Sequence, residues 1–206
     1  MGSAPQPEGV IKYRVRHQAG PPIPWDLVTE LEQWRQRLRA QGWLGQYPDG
    51  LSYGNVSQRH PQGGLVITAT QVAHRPQLTA QDYVHVTAYD PATHTLTVVG
   101  PLAASSEAPT HWAIYDLHPD IQVVFHIHSP DLWRRLLQEP GVPCTAPDIP
   151  YGTQAMAQAI RRLYPPDIDP FAHPCFVMAG HADGVFSFGR TARQAGQALM
   201  QWLTAC

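Results

Sequence analysis

Val123-Val124-Phe125-His126-Ile127-His128 is an apolar run that carries two histidines two residues apart. Side chains two apart on a β-strand share a face, so both imidazoles project the same way at a spacing that suits one cation. Neutral imidazole is a good ligand for Zn²⁺, and three protein ligands with one open position describe a catalytic rather than a structural zinc site. The third ligand and an acid/base group have to come from elsewhere in the chain. The pair alone leaves a second reading open, surface or hydrogen-bonded core histidines, because the chain holds 11 His.

Around that strand the elements alternate in type. Leu27, Leu31, Trp34 and Leu38 recur at helical spacing from Trp25, and Gly42 stops the helix. Leu65-Val66-Ile67, Tyr83-Val84-His85-Val86 and Thr95-Leu96-Thr97-Val98-Val99 read as strands, the last two joined by a turn at Asp90-Pro91-Ala92-Thr93-His94. Strands that meander in this way pair antiparallel. Residues 107–117 read as a helix with Ser105 or Ser106 at its N-cap and Pro119 past its end. Helices over 130–138, 153–164 and 190–204 alternate with strands over 175–178 and 185–188. Helices among meandering strands imply an α/β layered domain, a sheet covered by helices. Residues 25–206 form that domain, and 1–24, rich in Pro and Gly with a short Val10-Ile11-Tyr13-Val15 alternation, form an N-terminal arm or edge strand.

Composition narrows the function. A chain of 206 residues suits one domain. Its 14 Lys plus Arg against 16 Asp plus Glu, with no basic run, argue against a nucleic-acid partner. Cys144, Cys175 and Cys206 form no Cys-x-x-Cys and are odd in number, which points to reduced thiols in a cytoplasmic protein. No apolar stretch is long enough to span a membrane, and the N-terminus lacks an apolar signal core.

The order of the motifs carries more than any one of them: Tyr53-Gly54-Asn55-Val56-Ser57, Val66-Ile67-Thr68, Ser105-Ser106-Glu107 with His111 four on, His126-Ile127-His128, and Gly180-His181. This succession, from about residue 25 to about residue 199, resembles the class II aldolase/adducin family, a zinc-dependent group of sugar-phosphate aldolases, epimerases, dehydratases and decarboxylases. The resemblance implies a three-layer α/β/α fold around a largely antiparallel sheet, and a homotetramer with active sites at subunit boundaries. It implies that His126, His128 and His181 bind Zn²⁺ or another divalent metal, and that Glu107 is the acid/base. It also implies that Gly54, Asn55, Ser105 and Ser106 receive the anionic end of the substrate, where Thr70 adds a hydroxyl and Gln71 an amide as further substrate-binding groups. Tyr151, in Tyr151-Gly152-Thr153, is either a proton donor to a neighbouring site or a packing residue. His111 either packs or hydrogen-bonds a ligand.

A cation beside a carbonyl and an adjacent hydroxyl polarises both oxygens and stabilises an enediolate, while a carboxylate moves the proton. The resemblance therefore implies a zinc lyase making or breaking a carbon–carbon bond in a small hydroxycarbonyl or hydroxyacid. A dehydratase, decarboxylase or epimerase uses the same site. A non-catalytic adducin-like module is the reading from another class, disfavoured because the full ligand set is kept. The chain departs from the sugar-phosphate aldolases at Ile67-Thr68-Ala69-Thr70-Gln71, where their pattern ends in Gly. A side chain at Gln71 crowds a phosphate cradle, and no Lys or Arg stands inside these motifs, so a non-phosphorylated substrate is expected.

Overall fold

The computed structural model describes residues 9–203. The chain runs through β1 (Arg14–Gln18), α1 (Trp25–Ala40), β2 (Gly45–Gln46), β3 (Ser52–Tyr53), β4 (Asn55–Arg59), β5 (Leu65–Thr68), β6 (Tyr83–Asp90) and β7 (Thr95–Val99). It continues through α2 (Ala108–Tyr115), β8 (Val123–His128), α3 (Pro130–Gln138), β9 (Cys144–Thr145), α4 (Gln154–Leu163), β10 (Cys175–Met178), β11 (Gly184–Gly189) and α5 (Ala192–Met200).

Among the described residues one nine-stranded sheet has the order β1-β7-β6-β5-β4-β8-β11-β10-β9, and β2 pairs β3 separately. The outermost pairings, β1 with β7 and β10 with β9, are parallel. Those between them are antiparallel. The sheet is therefore mixed, which corrects the expectation of a largely antiparallel one. The reason lies in the connections: tight turns such as 90–95 return the chain antiparallel, whereas β9 reaches β10 through α4, a crossover that leaves the two strands parallel.

Strand alternation sorts the two faces. Phe125 and Ile127 of β8 pack with Val28 and Leu31 of α1, Leu132 of α3 and Leu199 of α5 in one apolar core. Val124 packs with Ile114 of α2, Met156 and Ile160 of α4, and Phe186 in the other. His126 and His128 alternate with Phe125 and Ile127, so they emerge on the α2 and α4 face. All six residues of β8 are buried, which accounts for the near-continuous apolar run.

The helix at Trp25, the strands at 65, 83 and 95, and α3 lie where periodicity puts them. β4 is an addition: it reads Asn55-Val56-Ser57-Gln58-Arg59, too polar for a strand signal, yet it sits centrally between β5 and β8. β1 forms the sheet edge within residues 1–24, and α1 begins directly after Pro24. Cys144 and Cys175 are free thiols, while Cys206 lies outside the described residues. No helix among the described residues is long and apolar enough to cross a membrane.

Helix α1 buries an ion pair along with its leucines. Arg35 donates to Glu32 at 2.5 and 2.7 Å, with both side chains almost wholly buried. Burial raises the Glu32 carboxyl, but hydrogen bonds from Arg35, Tyr83, Gln36 and the Leu78 amide outweigh it and hold the group below its ordinary value. Arg35→Met strands that carboxylate, and a loss of about 3–5 kcal/mol is expected in chemical denaturation. A loss below about 1 kcal/mol would show that the pair behaves like a surface one.

Candidate metal centre

Three histidines meet on the α2 and α4 side of the sheet. His126 and His128 ride on β8, held between β4 and β11 with Asn55 and Phe186 opposite His126 and Gly184 opposite His128. His181 comes from the turn between β10 and β11, where its N–H donates to Met178 C=O at 3.2 Å and its C=O accepts from Gly184 N–H at 3.0 Å. Gly184 allows this approach: a Cβ there would stand 2.7 Å from the His181 ring and 3.3 Å from that of His126. All three imidazoles are buried, and one ring nitrogen from each lies within 4.8 Å of the others.

The donor set fits a divalent cation. His126 Nε2 and His128 Nε2 face each other at 3.1 Å, close to the roughly 3.3 Å between two nitrogens bound tetrahedrally at metal distances. Behind them, His126 Nδ1 reaches the Val185 carbonyl at 3.3 Å and His128 Nδ1 the Tyr47 hydroxyl at 2.8 Å. With hydrogens on both Nδ1 atoms, given to the Val185 carbonyl and the Tyr47 hydroxyl, both Nε2 lone pairs would face inward, the arrangement that outer partners impose on metal-binding imidazoles. Burial first, and then the neighbouring His128, His181 and His111, hold His126 well below its ordinary pKa, in the neutral form a ligand requires.

Glu107 stands at the start of α2, wholly buried, with Oε1 3.9 Å from His126 Nε2 and Oε2 accepting from Thr110 Oγ1 at 2.7 Å. The N-cap position of α2 falls on Glu107, not on Ser105 or Ser106 as expected, and its side chain makes no cap. Ser105 Oγ instead accepts from the Glu107 N–H at 3.3 Å, and both serines line a small cavity.

That cavity brings together Gly54, Asn55, Thr70, Gln71, Ser105 and Ser106. Asn55 is fixed from behind by a buried chain of hydrogen bonds. His111 Nε2 meets Asn55 Oδ1 at 2.5 Å, His111 Nδ1 meets Ser57 Oγ at 2.6 Å, and Ser57 Oγ meets the Tyr115 hydroxyl at 2.8 Å. Burial pushes His111 down to about 3, so it is neutral and carries one N–H. That N–H donates to Asn55 Oδ1 while Nδ1 accepts from Ser57, which leaves the Asn55 NH₂ to the cavity side. His111 therefore neither merely packs nor touches the imidazole cluster by hydrogen bond; it orients a cavity residue.

Tyr151 lies beside His181 in the same chain, ring centroids 4.7 Å apart. Two contributors escape a motif search. Tyr47 reaches His128 from the loop between β2 and β3, and Lys12 lies 3.3 Å above the Tyr151 ring centroid. An isolated Tyr or Lys outside any motif gives no sequence signal.

The family described as Class II Aldolase and Adducin N-terminal domain matches residues 36–206. A methylthioribulose-1-phosphate dehydratase from Gluconacetobacter diazotrophicus is 31% identical over 107 residues, covering 52% of this chain and 47% of that protein. The match thus spans about half the length of that curated relative. YgbL from Klebsiella pneumoniae shares the fold with a TM-score of 0.63 at 22% identity, over 86% of this chain and 84% of that one. An L-fuculose 1-phosphate aldolase does so with a TM-score of 0.64 at 19% identity, over 88% and 84%.

Proposed function

This chain belongs to the class II aldolase and adducin family, and from that membership we propose that it is a cytoplasmic, zinc-dependent lyase making or breaking a carbon–carbon bond in a small hydroxycarbonyl substrate. The reading is carried by one observation, the convergence of three buried imidazoles and a buried carboxylate beside a polar cavity. His126, His128 and His181 hold the ion, and an all-imidazole set suits zinc. When bound, zinc supplies Lewis acidity to the substrate carbonyl and its neighbouring hydroxyl, worth several kcal/mol of charge stabilisation.

The chain's own groups do the rest. Thr110 anchors one oxygen of Glu107, so the other, on the imidazole side, takes a proton from the substrate and returns it to the product. Asn55, Ser105 and Ser106, with Gly54, Thr70 and Gln71, receive the far end of the substrate, and Tyr151 beside His181 is a second proton donor. Residues 25–206 are the catalytic domain, 1–24 its arm, and the working assembly is a homotetramer.

One observation favours a second reaction at this site, the similarity to a protein named as a dehydratase. The shared species is the enolate beside the carbonyl: a lyase reaches it when the proton of the β-hydroxyl is taken and the Cα–Cβ bond breaks, a decarboxylase when CO₂ leaves, and a dehydratase or epimerase when the α-proton is removed, the dehydratase then expelling a β-hydroxyl. The test is NMR in D₂O with the zinc-loaded protein and a panel of hydroxyketones. Zinc-dependent deuterium uptake beside the carbonyl is expected, with an aldehyde product marking a lyase and a dehydrated ketone marking a dehydratase. A protein that binds no metal and exchanges no proton across the panel would be an interaction module instead.

A further inference from the structure

Gln71 sits at φ +60°, in the left-handed region that favours glycine. Its Oε1 accepts from the Ser52 backbone N–H at 2.8 Å. The amide is thereby turned so that Nε2 lies against Gly9, where a Cβ would stand only 2.1 Å away. Gly9, itself at φ +74°, is a wall of the cavity that Gln71, Asn55, Ser105 and Ser106 line. The residues after Gly9 are fastened over the same region. Val10 N–H donates to the Tyr151 hydroxyl at 3.1 Å, and Lys12 Nζ donates to the Tyr151 carbonyl at 3.1 Å. The Tyr13 hydroxyl reaches the carbonyls of Ala104 and Ser105 at 3.0 and 3.1 Å. These residues precede position 36, where the family match begins.

The cavity they close leaves about 10 Å³ for the centre of a water-sized sphere, about the room of one water molecule. A hydroxyl or one carboxylate oxygen fits such a space, and a phosphate with its several oxygens does not. The geometry points to Gly9–Tyr13 and Gln71 as a specificity element that caps the far-end cavity and restricts the substrate to one without a phosphate ester there. Gln71 is the plug, Gly9 its backing, and Lys12 a positioning residue that holds the segment down through Tyr151. This assignment rests on the function proposed above for the neighbouring imidazole site.

The full-length, zinc-loaded protein is titrated calorimetrically with dihydroxyacetone and with dihydroxyacetone phosphate, which share the hydroxyketone end and differ at the other. The wild type is expected to bind the phosphate ester no more tightly than the free ketone. Gln71→Gly should tighten the phosphate ester at least about tenfold relative to the free ketone, since glycine is at ease at that φ. Lys12→Ala should also tighten it, by about threefold, despite removing a positive charge; a weakening would make Lys12 an anion ligand and overturn its assigned role. A wild-type preference of tenfold or more for the phosphate ester, or an unchanged ratio in Gln71→Gly, overturns the cap. If neither ketone binds, the proposed function fails by itself, and inorganic phosphate then tests the cap: Gln71→Gly must bind it at least tenfold more tightly than wild type, or the cap is wrong too.

Discussion

His128→Ala is expected to lower bound metal from about one divalent ion per chain to under about a tenth, because one of three protein ligands goes while even an outer partner is worth 10–100-fold in affinity. The fold should survive the loss. Its two apolar cores, one on each face of the sheet, are built from residues that do not belong to the imidazole cluster. His128 also holds Tyr47 at 2.8 Å, so some loosening of the loop between β2 and β3 accompanies the change. Metal analysis after dialysis, together with a circular-dichroism melt, reads both effects. Full metal occupancy in a His126→Ala, His128→Ala double variant would place the ion elsewhere and sink the assignment.

Glu107→Gln separates proton transfer from metal binding. The amide keeps the carboxylate's shape inside a fully buried site, and the oxygen that Thr110 holds can still accept its hydrogen bond. Metal content should therefore be unchanged, while turnover of the substrate found in the hydroxyketone panel falls by about 10²-fold or more, the usual worth of a general acid/base. Near-normal turnover in this variant would transfer the role to another group, with Tyr151 the first to examine because its ring lies 4.7 Å from that of His181.

What could be read in the sequence follows from how local each signal is. His-x-His on a strand is legible because a period of two needs only three residues, and α1 and α3 are legible because apolar side chains recur along one face. β4 was not, since Asn55 and Ser57 are buried by virtue of partners on α2 more than 50 residues away. The parallel edges of the sheet are equally silent, because they depend on where long connections come to rest. His181 and the cavity residues were reachable only through the family likeness. The contact of Val10 with Tyr151 joins positions 141 apart and leaves no mark in either segment.

Hydrogen bonds have a sense as well as a length, and the chain behind Asn55 can be followed like a one-way street. With Asn55 Oδ1 committed to His111, the His111 Nε2–H and the Ser57 and Tyr115 hydroxyls each have their hydrogen pointed toward the cavity. The preference of that cavity wall for an oxygen acceptor is thus written two residues behind the surface that meets the ligand. Evolution can retune what the site recognises at Ser57 or Tyr115, positions buried behind the cavity wall, by reversing the direction in which the street runs.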